Sequence, residues 1–153
     1  MRGAVFGCPA WWARWLPGEV RRLRGAWELE ERRWEVLALI GSGCGRLDGR
    51  MVSCGLLLLD GPPETVTGIQ SERAVSCGLS LRDSLTLSSV RQPTLCVQRA
   101  IPRPDGGVVE PQEIPLGRLP APADRILPLL GLRLLFSGQH SASRQDLPIG
   151  KNF

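Results

Sequence analysis

The sequence predicts an α+β fold: an N-terminal amphipathic helix packed on a small, mostly antiparallel sheet, with a short C-terminal helix and a flexible tail. Three patterns favour it. Apolar residues recur at three- and four-residue spacing over 17–39, apolar and polar residues alternate over 77–87, and an Asp-Gly pair separates two extended runs. The 153-residue chain then divides into an N-terminal segment at 1–16, a single α+β domain at 17–136 and a tail at 137–153.

The segment 17–39 has the pattern of an amphipathic helix. Pro17 suits the first helical position and Gly41 suits the stop. As an alternative, residues 35–40 (E-V-L-A-L-I) form a short strand, because periodicity alone does not assign a short apolar run. The residues expected on one face of the helix are Leu16, Val20, Leu23, Trp27, Trp34 and Leu37.

Extended segments are predicted from Arg50 onwards. Residues 51–59 have the composition of a strand, and the Asp-Gly-Pro-Pro sequence that follows is typical of a turn. Over 77–87 apolar residues occupy nearly every second position, and Asp83 interrupts them, so we expect a turn there. This alternation is typical of half-buried strands with one solvated face.

A hairpin is predicted next, with strands at 94–101 and 108–114 around the Asp105-Gly106 turn. Because Pro111 cannot donate a ladder hydrogen bond, its strand should lie at a sheet edge. A short apolar helix is expected at about 124–136, and the polar residues 137–153 are expected to be mobile.

The charge of the chain is basic, with a net charge of +4, and 18 of its 19 basic residues are Arg. GC-rich coding explains this bias most simply. A functional explanation is also available, since Arg forms bidentate hydrogen bonds to phosphate and stacks on bases. Nucleic-acid-binding proteins usually concentrate their charge on one patch, whereas here 15 acidic residues are interleaved with scattered Arg.

The cysteines and the single histidine form no recognisable site. The chain has five Cys without a C-x-x-C pair, and His140 lies in the polar tail, so we expect reduced thiols in the core and neither a metal, a cofactor nor a catalytic His. Reduced thiols favour a reducing, cytoplasmic location. The N-terminus carries Arg2 and Arg14 and no acid before Gly18, so organelle targeting is an alternative. No apolar run is long enough for a membrane span.

The glycine-rich residues 41–45 are a candidate for anion binding. A dinucleotide fingerprint needs glycine where Arg46 stands, and no Gly-Lys pair follows as in a phosphate-binding loop. We therefore interpret the segment as a helix stop followed by a turn.

Residues 47–52 (L-D-G-R-M-V) resemble the core of the first Sm motif. The resemblance implies a small, strongly bent β-sheet after an N-terminal helix, and binding of oligo-U RNA by rings of such proteins. The sequence departs from the pattern at Cys54, where a glycine is expected, and at Arg82-Asp83, where the second motif has Arg-Gly. The motif therefore does not assign the chain to that family.

The function these patterns favour is a non-enzymatic protein-interaction module whose partner is another protein. Binding is expected through the edge strand near 108–114 or the Trp-bearing helix. The candidate interaction residues are Trp27, Trp34, Val108, Val109 and Glu110. Two alternatives remain: a small β module that associates with RNA through Arg, and the product of a GC-rich reading frame with little stable fold.

Overall fold

One mostly parallel sheet of eight strands dominates the fold. The computed structural model describes residues 2–41, 47, 50–61, 68–89 and 91–137, and within them the strand order is β10-β7-β6-β5-β4-β3-β1-β2. A two-stranded hairpin, β8–β9, and one α-helix, α1, accompany this sheet. The elements are β1 (Gly3–Phe6), β2 (Val20–Arg22), β3 (Trp34–Leu39), β4 (Val52–Asp60), β5 (Ile69–Cys77), β6 (Leu85–Ser89), β7 (Thr94–Val97), β8 (Ile101–Pro102), β9 (Val108–Val109), β10 (Gln112–Pro115) and α1 (Leu127–Phe136).

The centre of the sheet is parallel because its strands are apolar on both faces. β1 pairs in parallel with β2 and β3, and β3, β4, β5 and β6 follow in parallel order. The runs of four or more consecutive buried residues in β3 and β4 suit parallel strands, which are normally covered on both sides. β6, β7 and β10 complete the sheet in antiparallel order.

Two apolar layers cover the faces of the sheet. On one face, α1 and Ile101 of β8 pack with Leu58 and other residues of the sheet; we call this the α1 layer. On the other face, Leu29 and Trp34 pack with Leu57 of β4; we call this the opposite layer. Leu58 is fully buried, and burial of such a side chain adds about 1.5–3 kcal/mol to the stability of the folded state.

The helix α1 lies where a short C-terminal helix is expected. Pro128 is in its first turn, where its missing N–H costs nothing. Gly131 lies close to Leu58 and Leu85, and this close approach favours a residue without a Cβ.

The predicted fold class is wrong, since 17–39 is not a helix. It contains β2, a 3-10 helix at Ala26–Glu30 and β3. Gly25 is extended and begins that short helix, and Glu28 accepts hydrogen bonds from the N–H groups of Arg24 and Gly25. These bonds hold the pKa of Glu28 below its ordinary value. The alternative interpretation of 35–40 as a strand is close to the observed β3.

The prediction of a small, mostly antiparallel sheet is also wrong. A turn is present where Asp83 interrupts the alternation, but it is longer than expected, because β5 ends at Cys77 and β6 begins only at Leu85. Leu79 and Leu81, which the alternation places on a buried face, are exposed. The bent sheet after a helix that the Sm resemblance implies is likewise not observed in the described residues.

The predicted hairpin is present as two nested pairs. β7 pairs with β10, and β8 pairs with β9 around the turn at 103–107. β10 lies at one end of the sheet, as Pro111 predicts. Residues 42–46 of the glycine-rich segment, Asp48-Gly49 of the Sm-like segment, and 138–153 of the expected tail lie outside the described residues.

Candidate strand-addition site

A six-residue stretch of β5, residues 69–74, has a strand on one side only. β5 pairs with β4 from Val52↔Ile69 to Asp60↔Cys77. On its other side β6 joins only at Cys77↔Leu85. No strand in the described part of the chain pairs with residues 69–74 on that side. We call this side of residues 69–74 the open edge.

The open edge is polar and solvent-exposed. The side chains from Gln70 to Ala74 are all exposed, whereas Val75 and Cys77 are buried. Successive backbone N–H and C=O groups along a strand alternate in direction, so part of this row points away from β4. Such unpaired groups accept a further strand by backbone hydrogen bonding.

The two outer edges of the sheet are shorter and better protected. β2 has three residues, of which Arg21 and Arg22 are charged. β10 has four residues and ends in Pro115, and Pro111 immediately precedes it. Proline lacks an N–H, which opposes pairing at β10, and β2 offers only half as many residues as the open edge. The open edge of β5 is longer and contains no proline.

The alternation of side chains between the two faces is interrupted at one level of the sheet. Cys54 packs in the opposite layer with Trp34, whereas Leu56, two residues later, packs in the α1 layer with Val36. The pairing register stays the same across this point, Trp34↔Cys54 being followed by Val36↔Leu56. Both strands therefore change faces together.

Gly55 lies at this level of the sheet. A Cβ on Gly55 would come within 2.9 Å of the carbonyl oxygen of Glu35. In β5, Ile69 packs against the opposite layer and Val75 in the α1 layer, although Val75 follows Ile69 by six positions, a spacing that places both on one face of a regular strand. The interruption therefore extends to β5, beside the open edge.

A cleft of about 240 Å³ lies at the same level. Its apolar part comes from Val36 and Leu56, and Pro102 and Pro104 form one side. The charged side chains that line it are Arg33, Glu35, Glu72, Arg73 and Arg103.

Most of the charges around this cleft are paired. Arg2 Nε lies 2.6 Å from Glu35 Oε2, and Arg33 donates a hydrogen bond to Glu72. These pairs are solvent-exposed, so each contributes at most about 1 kcal/mol to the free energy of unfolding. Arg73 has no acidic partner within ion-pair distance among the described residues.

Arg103 is largely removed from water. Its side chain is 14% exposed, and Asp105 Oδ2 lies 3.7 Å from its Nε. Its Nη2 is buried and has no hydrogen-bond partner among the described residues. The tight turn fixes the backbone of Arg103, whose N–H donates to the carbonyl of Gly107 at 2.8 Å. Arg103 is thus held at the cleft by the turn, with Asp105 as its ion-pair partner.

A rigid turn follows β5 and precedes β6. Asp83 is buried, and its Oδ2 accepts the N–H of Ser80 at 3.0 Å. Gln98 Nε2 donates to the carbonyl of Asp83 at 2.7 Å. Leu79 and Leu81 are nevertheless exposed on this turn. The carboxyl end of β5 is thus followed by a fixed turn that carries two exposed leucines.

A second cleft lies where β5 begins. Its volume is about 330 Å³, and Met51, Ile69 and Gln70 are among its lining residues. The side chain of Met51 is 85% exposed. Large apolar side chains are therefore accessible at the start of the open edge as well as on the turn after β5.

The two predicted tryptophans occupy different environments. Trp27 lies on the 3-10 helix and is 62% exposed, whereas Trp34 is buried in β3 and 1% exposed. Trp34 Nε1 donates to the carbonyl of Leu29 at 3.3 Å, and the Arg32 guanidinium lies 4.3 Å from its ring centre. The two rings do not form one surface.

The other predicted residues lie on and after the β8–β9 hairpin. Val109 is buried and pairs with Ile101, so it is part of the core. Val108 and Glu110 are exposed. None of these three residues lies on the open edge.

Sequence reasoning missed the open edge, Arg73 and Arg103. The available signal is the polar run Q-S-E-R-A between the apolar residues Ile69 and Val75. It indicates an exposed strand, but the absence of a neighbour depends on where β6 begins to pair. That is a non-local property.

The buried thiols are unreactive. Cys8, Cys54 and Cys77 are buried and free. Burial raises the pKa of Cys54 to about 11 and that of Cys77 well above its ordinary value, so both remain protonated near neutral pH. No group of three or more His, Cys, Asp or Glu in the described ranges is placed to hold a metal ion.

No protein-family model, curated protein or solved structure matches this chain. In the part of the chain that the structure describes, no helix combines the length and the apolar character that a membrane span requires.

Proposed function

We propose that this chain is a protein-interaction module that binds an extended segment of another protein by strand addition at the open edge. The observation that carries the proposal is the six-residue row, 69–74, that pairs with β4 on one side only. A peptide added there gains main-chain hydrogen bonds irrespective of its sequence, while neighbouring clefts provide selectivity for side chains.

The surroundings of the open edge support this proposal. Clefts of about 240 and 330 Å³ include residues of β5 in their linings. Strand-binding sites use such pockets for alternate side chains of the peptide. Exposed Met51 and Leu79 offer apolar contact area beyond the backbone.

Ion pairs of five of the 18 arginines lower the positive charge that is available to RNA and so favour strand addition over RNA binding. Arg2, Arg21, Arg33, Arg50 and Arg103 each lie within 4 Å of a carboxylate oxygen. Phosphate-driven binding depends on guanidinium groups that are free to replace counterions, and these five are engaged within the protein.

A peptide selection tests the proposal. Random peptides of about ten residues, enough to cover a full strand, are displayed on phage and selected against the full-length chain. Amide hydrogen exchange is then measured with and without a selected peptide. We expect slower exchange within residues 69–74, because added backbone hydrogen bonds protect the outward amides. Failure to select any peptide, or protection at β10 or near Trp27 instead, overturns the proposal.

Proline variants supply an independent comparison. The N–H groups of Gln70 and Ser71, which precede the interruption, point in opposite directions, so one of the variants Gln70→Pro and Ser71→Pro retains the bonds to β4. The variant that keeps the wild-type Tm should lose peptide binding. If both variants lower Tm, the amide exchange of the wild-type chain with and without peptide decides whether the peptide binds at residues 69–74.

A further inference from the structure

We propose that the segment bound at the open edge carries an acidic side chain, Asp or Glu, opposite Arg73. This inference rests on the proposed strand addition and specifies the partner: an extended acidic segment of another protein. Its basis is Arg73, an exposed residue of the open edge that has no acidic partner among the described residues.

The position of Arg73 sets the geometry. Arg73 is level with Leu56 of β4, and Leu56 packs in the α1 layer. Arg73 is also two residues before Val75, which packs in the same layer. Arg73 thus belongs to the face of the sheet that carries α1 and the β8–β9 hairpin, the face where Pro102 and Arg103 line the cleft.

A residue of an added strand that lies opposite Arg73 places its side chain on this same face, because directly opposed residues share a face and have Cβ atoms about 5 Å apart. The side chain therefore lies beside that of Arg73.

The charges at this point favour a carboxylate. Arg33 is engaged by Glu72, which leaves Arg73 without an acidic partner among the described residues. A carboxylate opposite Arg73 neutralises part of its charge, whereas a Lys or Arg of the partner at this place is repelled.

Three synthetic peptides provide the test. They share one selected sequence that slows exchange within 69–74 and differ only at the residue opposite Arg73, which is Glu, Gln or Lys. We expect the Glu peptide to bind the full-length chain about five-fold more tightly than the Gln peptide, as a partly exposed ion pair allows. The Lys peptide should bind more weakly than the Gln peptide.

Charge reversal provides the matched variants. In Arg73→Glu the order of the three peptides should invert, so that the Lys peptide binds best. Arg118→Glu makes the same change of charge at an exposed residue that follows β10, beyond β6 and β7 in the sheet, and should preserve the wild-type order.

Equal binding of the Glu and Gln peptides to the wild-type chain contradicts the inference, as does an effect of Arg118→Glu equal to that of Arg73→Glu. In either case the protection of residues 69–74 still stands, and strand addition survives without acidic selectivity. Loss of that protection contradicts strand addition itself.

Discussion

Trp27 and Trp34 have the same spacing in the sequence as two residues on one helical face, but their surroundings differ. Trp34 is 1% exposed and packs with Leu29 and Leu37, whereas Trp27 is 62% exposed. The seven-residue spacing arises here from a 3-10 helix followed by a buried strand. The two tryptophans therefore contribute differently to the free energy of unfolding.

Truncation of each tryptophan measures this difference. We expect Trp34→Ala to lower the free energy of unfolding by about 3–5 kcal/mol, because it leaves a cavity in the core. Trp27→Ala should change it by about 0.5 kcal/mol or less, as at most exposed positions. Urea unfolding of both variants checks this. Equal losses would mean that Trp27 is buried as deeply as Trp34, contrary to this structure.

At the scale of elements, the sequence predicts local features but not which strands pair with one another. The Asp105-Gly106 turn and the apolar residues before Phe136 correctly indicate the β8–β9 hairpin and α1. The strand predicted at 51–59 is close to the observed β4, but its parallel pairing with β3 and β5 is not predicted. Apolar runs such as L-L-L-L in β4 have no amphipathic period, and parallel pairing with strands distant along the chain is not encoded in nearest neighbours.

The packing of α1 on the sheet is tested at Gly131. A Cβ there would lie 2.8 Å from Leu85 Cδ1 and 3.3 Å from Leu58 Cδ2, and both leucines are fully buried. Overpacking should lower the free energy of unfolding by about 1–3 kcal/mol. This loss exceeds the gain of about 1 kcal/mol from the higher helix propensity of alanine. We therefore expect Gly131→Ala to lower Tm.

Gly18→Ala is the matched control, since no atom lies within 4 Å of a Cβ at Gly18. Its Tm should stay the same or rise slightly, because alanine reduces the entropy of the unfolded chain. A higher Tm for Gly131→Ala would mean that α1 does not pack against β4 and β6 as described.

At the scale of the whole molecule, the open edge results from unequal overlap of neighbouring strands. β4 and β5 pair over nine residues, whereas β6 meets β5 at Cys77 alone. The buried Asp83 fixes the turn between β5 and β6 and so determines where β6 begins to pair. The polar run in β5 is visible in the sequence, but this overlap is set by the tertiary structure. For that reason the candidate site could be found only from the fold.

Residue-resolved amide hydrogen exchange of the full-length chain tests this arrangement most directly. In residues 56–59 of β4, which pair with β3 and β5, we expect every amide to exchange slowly. Within residues 69–71 and 73–74, on either side of the interruption, we expect slow and fast amides to alternate, because only every second N–H is bonded to β4. Uniformly slow exchange over 69–74 would mean that the edge is already covered, and uniformly fast exchange would mean that this part of β5 does not pair with β4.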